Sequence, residues 1–346
     1  MKRLSTPVFA AILSLTAASL ATSCGPSAPA DPFARTENLA ASDSIAIDQI
    51  LRPREGVVAG DKAVITTYSK DSLIYVYSLP DFRYLYSGLR AGGGPDEIAN
   101  IYTSILRTYP DGTFIIEDYG TKTMALKAGE QGIEPVYYIR SADREAAGGG
   151  FDADSLYLDA DYGNDFQDGN MAGRLLLRDF RGRTADSTAS QSFLYTVTSG
   201  SGTMSMGKNW PNAALYGNTV AVVFYETGRT EFYDISQGRL ILKAVAGDDT
   251  PVEKLMENEF TQYGMKYPNI VCDGRHFCVL ASEYIDRSPD RPQIISQLLV
   301  YTLDGKPVKK VRLDKPVTGM LFYQGKLFAI DGTSDFDRVY VYDLNI

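Results

Sequence analysis

The only histidine of the chain, His276, lies between two of its three cysteines, Cys272 and Cys278, so this segment is the first place to look for nucleophilic or metal chemistry. A hairpin centred on Arg275 would set the two thiols opposite each other. They could then form a disulfide in an oxidising compartment or remain two semi-buried thiols. A metal site needs ligands that converge, whereas a tight turn spreads them. We expect a structural histidine here.

A single histidine also limits which active sites the chain can build. Multi-histidine zinc sites are excluded, and a Ser-His-Asp triad would have to use the turn residue His276. We therefore assign no catalytic, cofactor-binding or metal-binding residue from the sequence.

The glycine run at residues 92–94 could suggest a phosphate-binding loop. Pro95, Asp96 and Glu97 follow it directly. Such loops offer backbone N–H groups at a helix N-terminus, usually with a lysine. Pro95 removes one N–H group, and the two carboxylates would repel phosphate. The run therefore predicts a tight turn between repeats.

Two acidic stretches could suggest calcium loops. In residues 159–165 the glycine is Gly163, at position 5, and position 12 is Asn170. An EF-hand loop needs glycine at position 6 and glutamate at position 12. The second stretch contains Asp331, Asp335 and Asp337. We expect solvated acidic loops and no cofactor, with calcium as the alternative.

The N-terminus has the parts of an export signal in order. Lys2 and Arg3 precede an apolar stretch at 8–20, which is too short and too polar for a comfortable membrane span. Residues 20–24, Leu-Ala-Thr-Ser-Cys, resemble the lipobox of bacterial lipoproteins, and the resemblance implies lipidation of Cys24. We expect residues 1–23 to be a signal peptide, 24–40 a lipidated tether and 41–346 the folded domain.

Composition points to an exported β protein that does not bind nucleic acid. Without Lys2 and Arg3 the mature chain has 32 basic and 43 acidic residues, a net charge of −11. Such a chain lacks the basic surface that nucleic acid or anionic lipid requires. The 23 tyrosines and 15 phenylalanines, clustered with β-branched residues, favour strands.

Pairs of short apolar strands recur along the chain, separated by turns of Gly, Asp or Asn. The first turns of six successive units fall at Asp61, Asp111, Asp154, Asn218, Asp273 and Gly325. Their spacing of 43 to 64 residues is typical of four-stranded propeller blades. The sequence therefore predicts an all-β fold, a six-bladed β-propeller.

The sixth unit ends at Ile346 and has no room for a fourth strand. Residues 44–50 alternate apolar and polar side chains, as an added outer strand should. We expect this segment to pair with the last blade and close the ring, because an open end would leave a sheet edge unpaired. The alternative is a free-standing strand or a part of the tether.

Several motifs together resemble the Bacteroidetes TolB-like six-bladed propeller lipoproteins. They lie at residues 75–79, 92–98, 229–235, 267–270, 322–327 and 339–344, with Ile98 in place of the usual phenylalanine. The resemblance spans roughly residues 40 to 346. It implies a propeller in the cell envelope and supplies no catalytic residues.

The leading hypothesis is a non-catalytic binding or scaffolding propeller whose ligand is an envelope protein, a peptide or a glycan. The alternative is a carboxylate- or calcium-dependent enzyme, lactonase- or lyase-like, acting at the central channel; this alternative rests on analogy of fold. Only Asp31 is acidic between Cys24 and Glu37, whereas surface-exported relatives tend to carry an acidic run there. We therefore expect an outer-membrane location facing the periplasm.

Overall fold

The computed structural model describes residues 32–33, 35–50, 52–69, 71–94, 97–98, 104–118, 122–140, 156–161, 170–179, 183–200, 202–257, 264–285, 293–332, 337–344 and 346. Within them the chain forms 25 strands and one short helix. The prediction of an almost entirely β protein is confirmed.

Two short strands come first, Thr36–Leu39 (β1) and Asp43–Ala46 (β2). The strands of the first sheet follow as Pro53–Ala59 (β3), Lys62–Thr67 (β4), Ile74–Ser78 (β5) and Arg83–Gly88 (β6). Those of the second are Ser104–Thr108 (β7), Thr113–Asp118 (β8), Lys122–Ala128 (β9) and Ile133–Arg140 (β10). Those of the third are Tyr157–Asp161 (β11), Met171–Arg178 (β12), Thr184–Ser199 (β13) and Gly202–Lys208 (β14).

The strands of the fourth sheet are Pro211–Tyr216 (β15), Thr219–Phe224 (β16), Thr230–Asp234 (β17) and Ile241–Ala246 (β18). The helix Val252–Met256 (α1) comes next. The fifth sheet contains Gly264–Cys272 (β19), His276–Tyr284 (β20), Ile294–Thr302 (β21) and Pro307–Leu313 (β22). The sixth contains Gly319–Tyr323 (β23), Lys326–Ile330 (β24) and Arg338–Asp343 (β25).

Within each sheet, consecutive strands pair antiparallel. β1 adds a parallel fifth strand beside β22, and β2 completes the sixth sheet beside β25. Each of the six predicted repeats falls in its own sheet.

The core lies between neighbouring sheets, because successive side chains of a strand point to opposite faces. In β4, Val64 packs in a cluster with Phe114 of the second sheet. Its neighbour Ile65 packs in a cluster with Phe328 and Ile330 of the sixth sheet. Burial of such side chains stabilises the fold by roughly 2 kcal/mol each.

Contacts between sheets run mainly through the first strand of each. In order around the structure, β3 contacts β7, β7 contacts β11, β11 contacts β15, β15 contacts β19, β19 contacts β23, and β23 contacts β3. In addition, β7 contacts β15 directly. This series leads from sheet to sheet and returns to the first. Between the second and third sheets, the guanidinium of Arg107 donates a hydrogen bond to the carbonyl of Leu156.

The predicted pairing between the two ends of the chain is present. Ser44 lies opposite Tyr340 and Ala46 opposite Arg338, in an antiparallel register. Ile47 donates its N–H to the carbonyl of Asp337 at 2.7 Å, and its side chain is fully buried. The strand is Asp43–Ala46, shorter than the predicted segment at 44–50.

The compact unit of the described chain includes residues before position 41, where the sequence predicts the start of the folded domain. Phe33 is 9% exposed and β1 pairs with β22, so the compact unit begins at Phe33. The four residues of β1 are too few and too polar to give a strand pattern on their own. Their structure depends on the free edge of β22.

Candidate functional site

The two ends of the sheets differ in their connections. At one end, the first two strands of five sheets are joined by short turns, which contain Gly60, Gly112, Gly217, Gly274 and Gly325, all at positive φ. Positive φ suits glycine because it has no Cβ. We call this the turn end, and the opposite end, which includes residues 54–55, 225–229, 247–257 and 331–332, the loop end.

Hydrogen bonds and close contacts show that several sheets share the loop end. The amide of Asn212, at the start of β15, donates to the carbonyl of Tyr267, near the start of β19, at 3.2 Å. At the sixth sheet, Gly332 donates to the Thr318 hydroxyl at 2.7 Å. A Cβ on Gly332 would lie 2.9 Å from the carbonyl of Pro53, where the first sheet begins. At this end the fourth sheet therefore contacts the fifth, and the sixth contacts the first.

An ion pair joins the fourth and fifth sheets at the loop end. The Lys266 ammonium on β19 contacts the carboxylate of Glu226, which follows β16, and each side chain is 6% exposed. The same ammonium lies 5.9 Å from the ring centre of Tyr225, within reach of a cation–π attraction. Both charges are thus compensated where little water reaches them.

Two tyrosines and an aspartate extend this group to the sixth sheet. Burial, with smaller effects from Tyr284 and Glu226, raises the pKa of Tyr225. Burial and the charge of Asp331 raise the pKa of Tyr284. Asp331 itself is fully buried at the end of β24. We call Tyr225, Glu226, Lys266, Tyr284 and Asp331 the loop-end cluster.

Glu55, near the start of β3, is a carboxylate of the first sheet at this end. Burial raises the pKa of its side chain against the opposing effect of Arg54, whose guanidinium lies 3.7 Å away. Yet 31% of the Glu55 side chain is accessible to solvent.

A hairpin of the third sheet projects beside the cluster. The pairing of β13 with β12 ends at Leu194 opposite Met171, whereas β13 continues to Ser199 paired only with β14. The hairpin exposes Met204 at 60% and Met206 at 37%. We call residues 195–200 and 202–206 the projecting hairpin.

Asn209 fastens the base of the projecting hairpin to the segment that carries Glu226. The fully buried Asn209 amide donates to the carbonyl of Gln191 at 2.8 Å. Its oxygen accepts from the N–H groups of Glu226 at 2.9 Å and Thr227 at 3.2 Å, and from the Thr227 hydroxyl at 3.4 Å. Asn209 therefore connects the base of the hairpin to the segment that carries Glu226.

Helix α1 supports the same hairpin from the connection after β18. Val252 and Leu255 pack with Phe193 of β13, and Tyr195 and Met256 cover this small cluster. The Tyr195 hydroxyl also lies 3.5 Å from the sulfur of Met206.

Of the two arrangements that the sequence leaves open for Cys272 and Cys278, the structure has the pair of free thiols, with Cys272 half-buried and Cys278 buried. The hairpin register pairs Cys272 with Phe277 and Cys278 with Val271, one residue away from the predicted register. A shift of one residue moves a side chain to the other face of a strand. Cys278 therefore packs towards the sixth sheet and Cys272 towards the fourth. Burial raises the pKa of Cys272 to about 12 and that of Cys278 further.

His276 has a structural position at the turn end, as the sequence predicts. Its Nδ1 lies 3.2 Å from Asp273, whose other carboxylate oxygen accepts the N–H groups of Arg275 and His276 at 2.6 and 2.5 Å. These hydrogen bonds of Asp273 close the turn between β19 and β20, which lies at the turn end, opposite the loop-end cluster.

The glycine run lies in a loop whose two sides are joined by hydrogen bonds. Gly92 donates to the carbonyl of Ile98 at 2.9 Å, and Gly94 donates to the carboxylate of Glu97 at 2.9 Å. Lys122 donates to the carbonyls of Gly94, at 2.8 Å, and Glu97. Among the described residues of this loop, the lysine therefore contacts carbonyl oxygens and the Glu97 carboxylate takes the N–H of Gly94. Pro95 and Asp96 lie outside the described residues.

The acidic stretches lie only partly within the described residues. Asp159 pairs with Arg178 at 2.7 Å, and Asp331 belongs to the loop-end cluster, whereas Asp165 and Asp335 lie outside the description. In the part of the chain that is described, no group of three or more His, Cys, Asp or Glu is placed to hold a metal ion.

The proposed lipidation residue, Cys24, lies outside the described residues, as does most of the segment that precedes the compact unit. Among the helices of the described ranges, none has the length and apolar character needed to cross a membrane.

Comparison with solved structures returns propellers at low similarity. BamB from Moraxella catarrhalis shares 11% identity over 88% of this chain and 100% of its own, with a TM-score of 0.37. The β-propeller domain of Cps50 (Swd1) from Myceliophteria thermophila shares 11% over 88% and 99%, with a TM-score of 0.43. The WD40 domain of Neurospora crassa Pan2 shares 8% over 85% and 78%, with a TM-score of 0.42. Likeness at this level carries no argument for function.

No family model matches the chain, and no curated protein matches it. The site must therefore be judged by its own geometry. Sequence reasoning missed Glu55, Tyr225, Glu226, Lys266 and Tyr284, because they lie on separate strands and form no local motif.

Proposed function

We propose that the protein is a lipid-anchored propeller of the cell envelope whose loop end binds another macromolecule. The six sheets are taken as the blades of one closed ring. The series of first-strand contacts that returns to its start, and the pairing of β2 with β25, support this proposal.

The proposed anchor is the diacylglyceryl group that the lipobox-like sequence implies for Cys24, in the outer membrane with the domain in the periplasm. Two or three acyl chains would hold the protein firmly, since each buried CH2 contributes about 0.8 kcal/mol. Palmitate labelling of wild type and Cys24→Ala tests the anchor. Protease shaving of intact cells tests the side of the membrane, and digestion of the domain would contradict a periplasmic location.

The observation that carries the binding function is the coupling of a fixed polar cluster to an exposed, methionine-containing hairpin. The Lys266–Glu226 pair lies in a rigid wall of strands, and Asn209 joins this wall to the base of the projecting hairpin. Methionine side chains adapt to irregular apolar partners, and Met204 and Met206 are exposed. This favours a protein or peptide ligand over a glycan.

Photocrosslinking in cells of the native host tests this function. A benzoylphenylalanine at Met204 should capture a discrete partner, and one at Leu242, which is 49% exposed on β18, should not. Asn209→Gly should reduce the Met204 adduct, because it releases the base of the hairpin. Equal adducts at both positions would contradict a loop-end binding surface.

Glu55 favours one second candidate, a carboxylate-dependent enzyme acting at the same end. A carboxyl whose pKa is raised by burial can serve as a general acid, and the Glu55 side chain remains accessible to solvent. Assay of a panel of lactones with calcium added or chelated tests it. Turnover by wild type that Glu55→Gln abolishes without loss of stability would favour the enzyme over the binding module.

A further inference from the structure

The position at which the chain joins the folded unit is fixed by a buried aromatic residue at the turn end. Phe33 packs edge-on against Tyr301 with ring centres 5.3 Å apart, in the cluster between the fourth and fifth sheets. Tyr301 is the penultimate residue of β21, opposite Pro307, where β22 begins. The turn with Gly305 joins these two strands, so Phe33 lies at the turn end.

The chain then runs away from the turn end along the edge of the fifth sheet. Thr36 lies opposite Lys310 and Leu39 opposite Leu313, in a parallel register with β22. Arg35 accepts a hydrogen bond from the N–H of Lys310 at 2.8 Å, and the Lys310 ammonium lies 5.4 Å from the Phe33 ring centre. These contacts hold the first residues of the unit to the sheet.

The chain between Cys24 and Phe33 limits how far the domain can stand from its lipid. Nine residues reach about 30 Å when fully extended and average about 17 Å as a flexible chain. The seven residues of β22 span about 23 Å from the turn end towards the loop end. Loop-end contact with the membrane would therefore require the tether to span about 23 Å along the sheet, which is about three quarters of its full reach and more than its average length.

We infer that lipid on Cys24 holds the turn end towards the membrane, so that the loop-end cluster and the projecting hairpin face water and take a partner from the aqueous side. This inference rests on the proposed lipidation. The partner is then a protein or peptide carried by the periplasm or by a structure opposite the anchoring membrane. In this orientation the loop end faces away from the lipid of the anchoring membrane.

Energy transfer in vesicles tests the orientation. The lipidated protein is reconstituted in phosphatidylethanolamine–phosphatidylglycerol vesicles that carry an acceptor dye on a fraction of the headgroups. One variant bears a donor at Lys306→Cys at the turn end, where the side chain is 77% exposed. The matched variant bears it at Met204→Cys on the projecting hairpin, where the residue is 60% exposed. Protein with neither added cysteine gives the background from Cys272 and Cys278.

Transfer should be at least severalfold more efficient from position 306 than from position 204. Equal transfer, or stronger transfer from position 204, would overturn the orientation while leaving lipidation intact. The intact mass of the protein separates the two claims, because absence of the diacylglyceryl mass on Cys24 would overturn the lipidation and the orientation with it.

Discussion

Lys266 and Glu226 form a buried ion pair between the fourth and fifth sheets, each side chain being 6% exposed. Removing one partner from such a pair leaves the other charge uncompensated away from water, which is strongly destabilising. The pair therefore makes the position of the Glu226 segment depend on β19. Because Asn209 contacts the same segment, the position of the projecting hairpin depends on the ion pair as well.

Glu226→Gln should lower the free energy of unfolding by about 3 kcal/mol, because the Lys266 ammonium stays buried without its partner. The double variant Glu226→Gln, Lys266→Met should recover most of this loss, since no unpaired charge remains. Urea denaturation followed by fluorescence measures both. An additive effect of the two substitutions would show that the pair is not coupled.

Asn209→Gly should lower the free energy of unfolding by about 2 kcal/mol through the loss of side-chain hydrogen bonds. Glycine accepts the positive φ of 55° at this position, so backbone strain does not contribute. Hydrogen exchange should accelerate at the base of the projecting hairpin. The exposed turn variant Asn218→Gly serves as control, with a change below about 0.5 kcal/mol; equal effects would contradict the role of Asn209.

Glu55 predicts a pH dependence of stability. The pKa of Glu55 in the folded protein lies above the ordinary value of 4.5, so the folded state binds the proton more tightly than the unfolded state. The protonated carboxyl therefore contributes to the stability of the folded state at low pH, and this contribution to stability is lost as pH rises. Glu55→Gln should therefore gain stability relative to wild type as pH rises from about 4 through the folded pKa. Denaturation midpoints of both proteins between pH 4 and 8 measure this, and a constant or falling difference would contradict it.

The cysteines should behave as protected thiols. Iodoacetamide at pH 8 should modify Cys278 only in denaturant and Cys272 slowly in the folded protein, because burial raises the pKa of both. Intact mass after exposure to air should show no loss of two hydrogens. A protected pair that reacts only after reduction would show that the disulfide exists.

The sequence predicts the sheets better than it predicts the site. Alternating apolar residues and glycine turns are local signals, and they locate strands such as β16 and β24 within a few residues. The pairing of β2 follows from a shortage of strands at the C-terminus, which is also visible in the sequence. The residues of the loop-end cluster lie up to 106 positions apart in the chain, and no local pattern connects Tyr225 to Asp331.

Two differences show where local patterns fail. The hairpin at Gly274 turns half a residue earlier than a centre at Arg275, which is enough to separate Cys272 from Cys278 onto opposite faces. The four residues of β1 acquire their strand only through the edge of β22, a tertiary effect that short sequences do not encode.

The central claim, that the two ends of the chain pair to complete the ring, is tested most directly by a designed crosslink. Ala46 and Arg338 lie directly opposite each other on β2 and β25. Directly opposite residues of an antiparallel pair approach closely enough for a disulfide. Ala46→Cys with Arg338→Cys should therefore oxidise to an intramolecular disulfide and raise the free energy of unfolding by up to about 5 kcal/mol, because the closed loop is long.

The same strands provide the control, since Asp43→Cys with Arg338→Cys is three residues out of register and should not crosslink. Intact mass and denaturation before and after reduction give the result. Rapid, stabilising oxidation of the first pair alone is the outcome that the account predicts. Failure of the first pair to crosslink in folded protein, or equal crosslinking of both pairs, would contradict it.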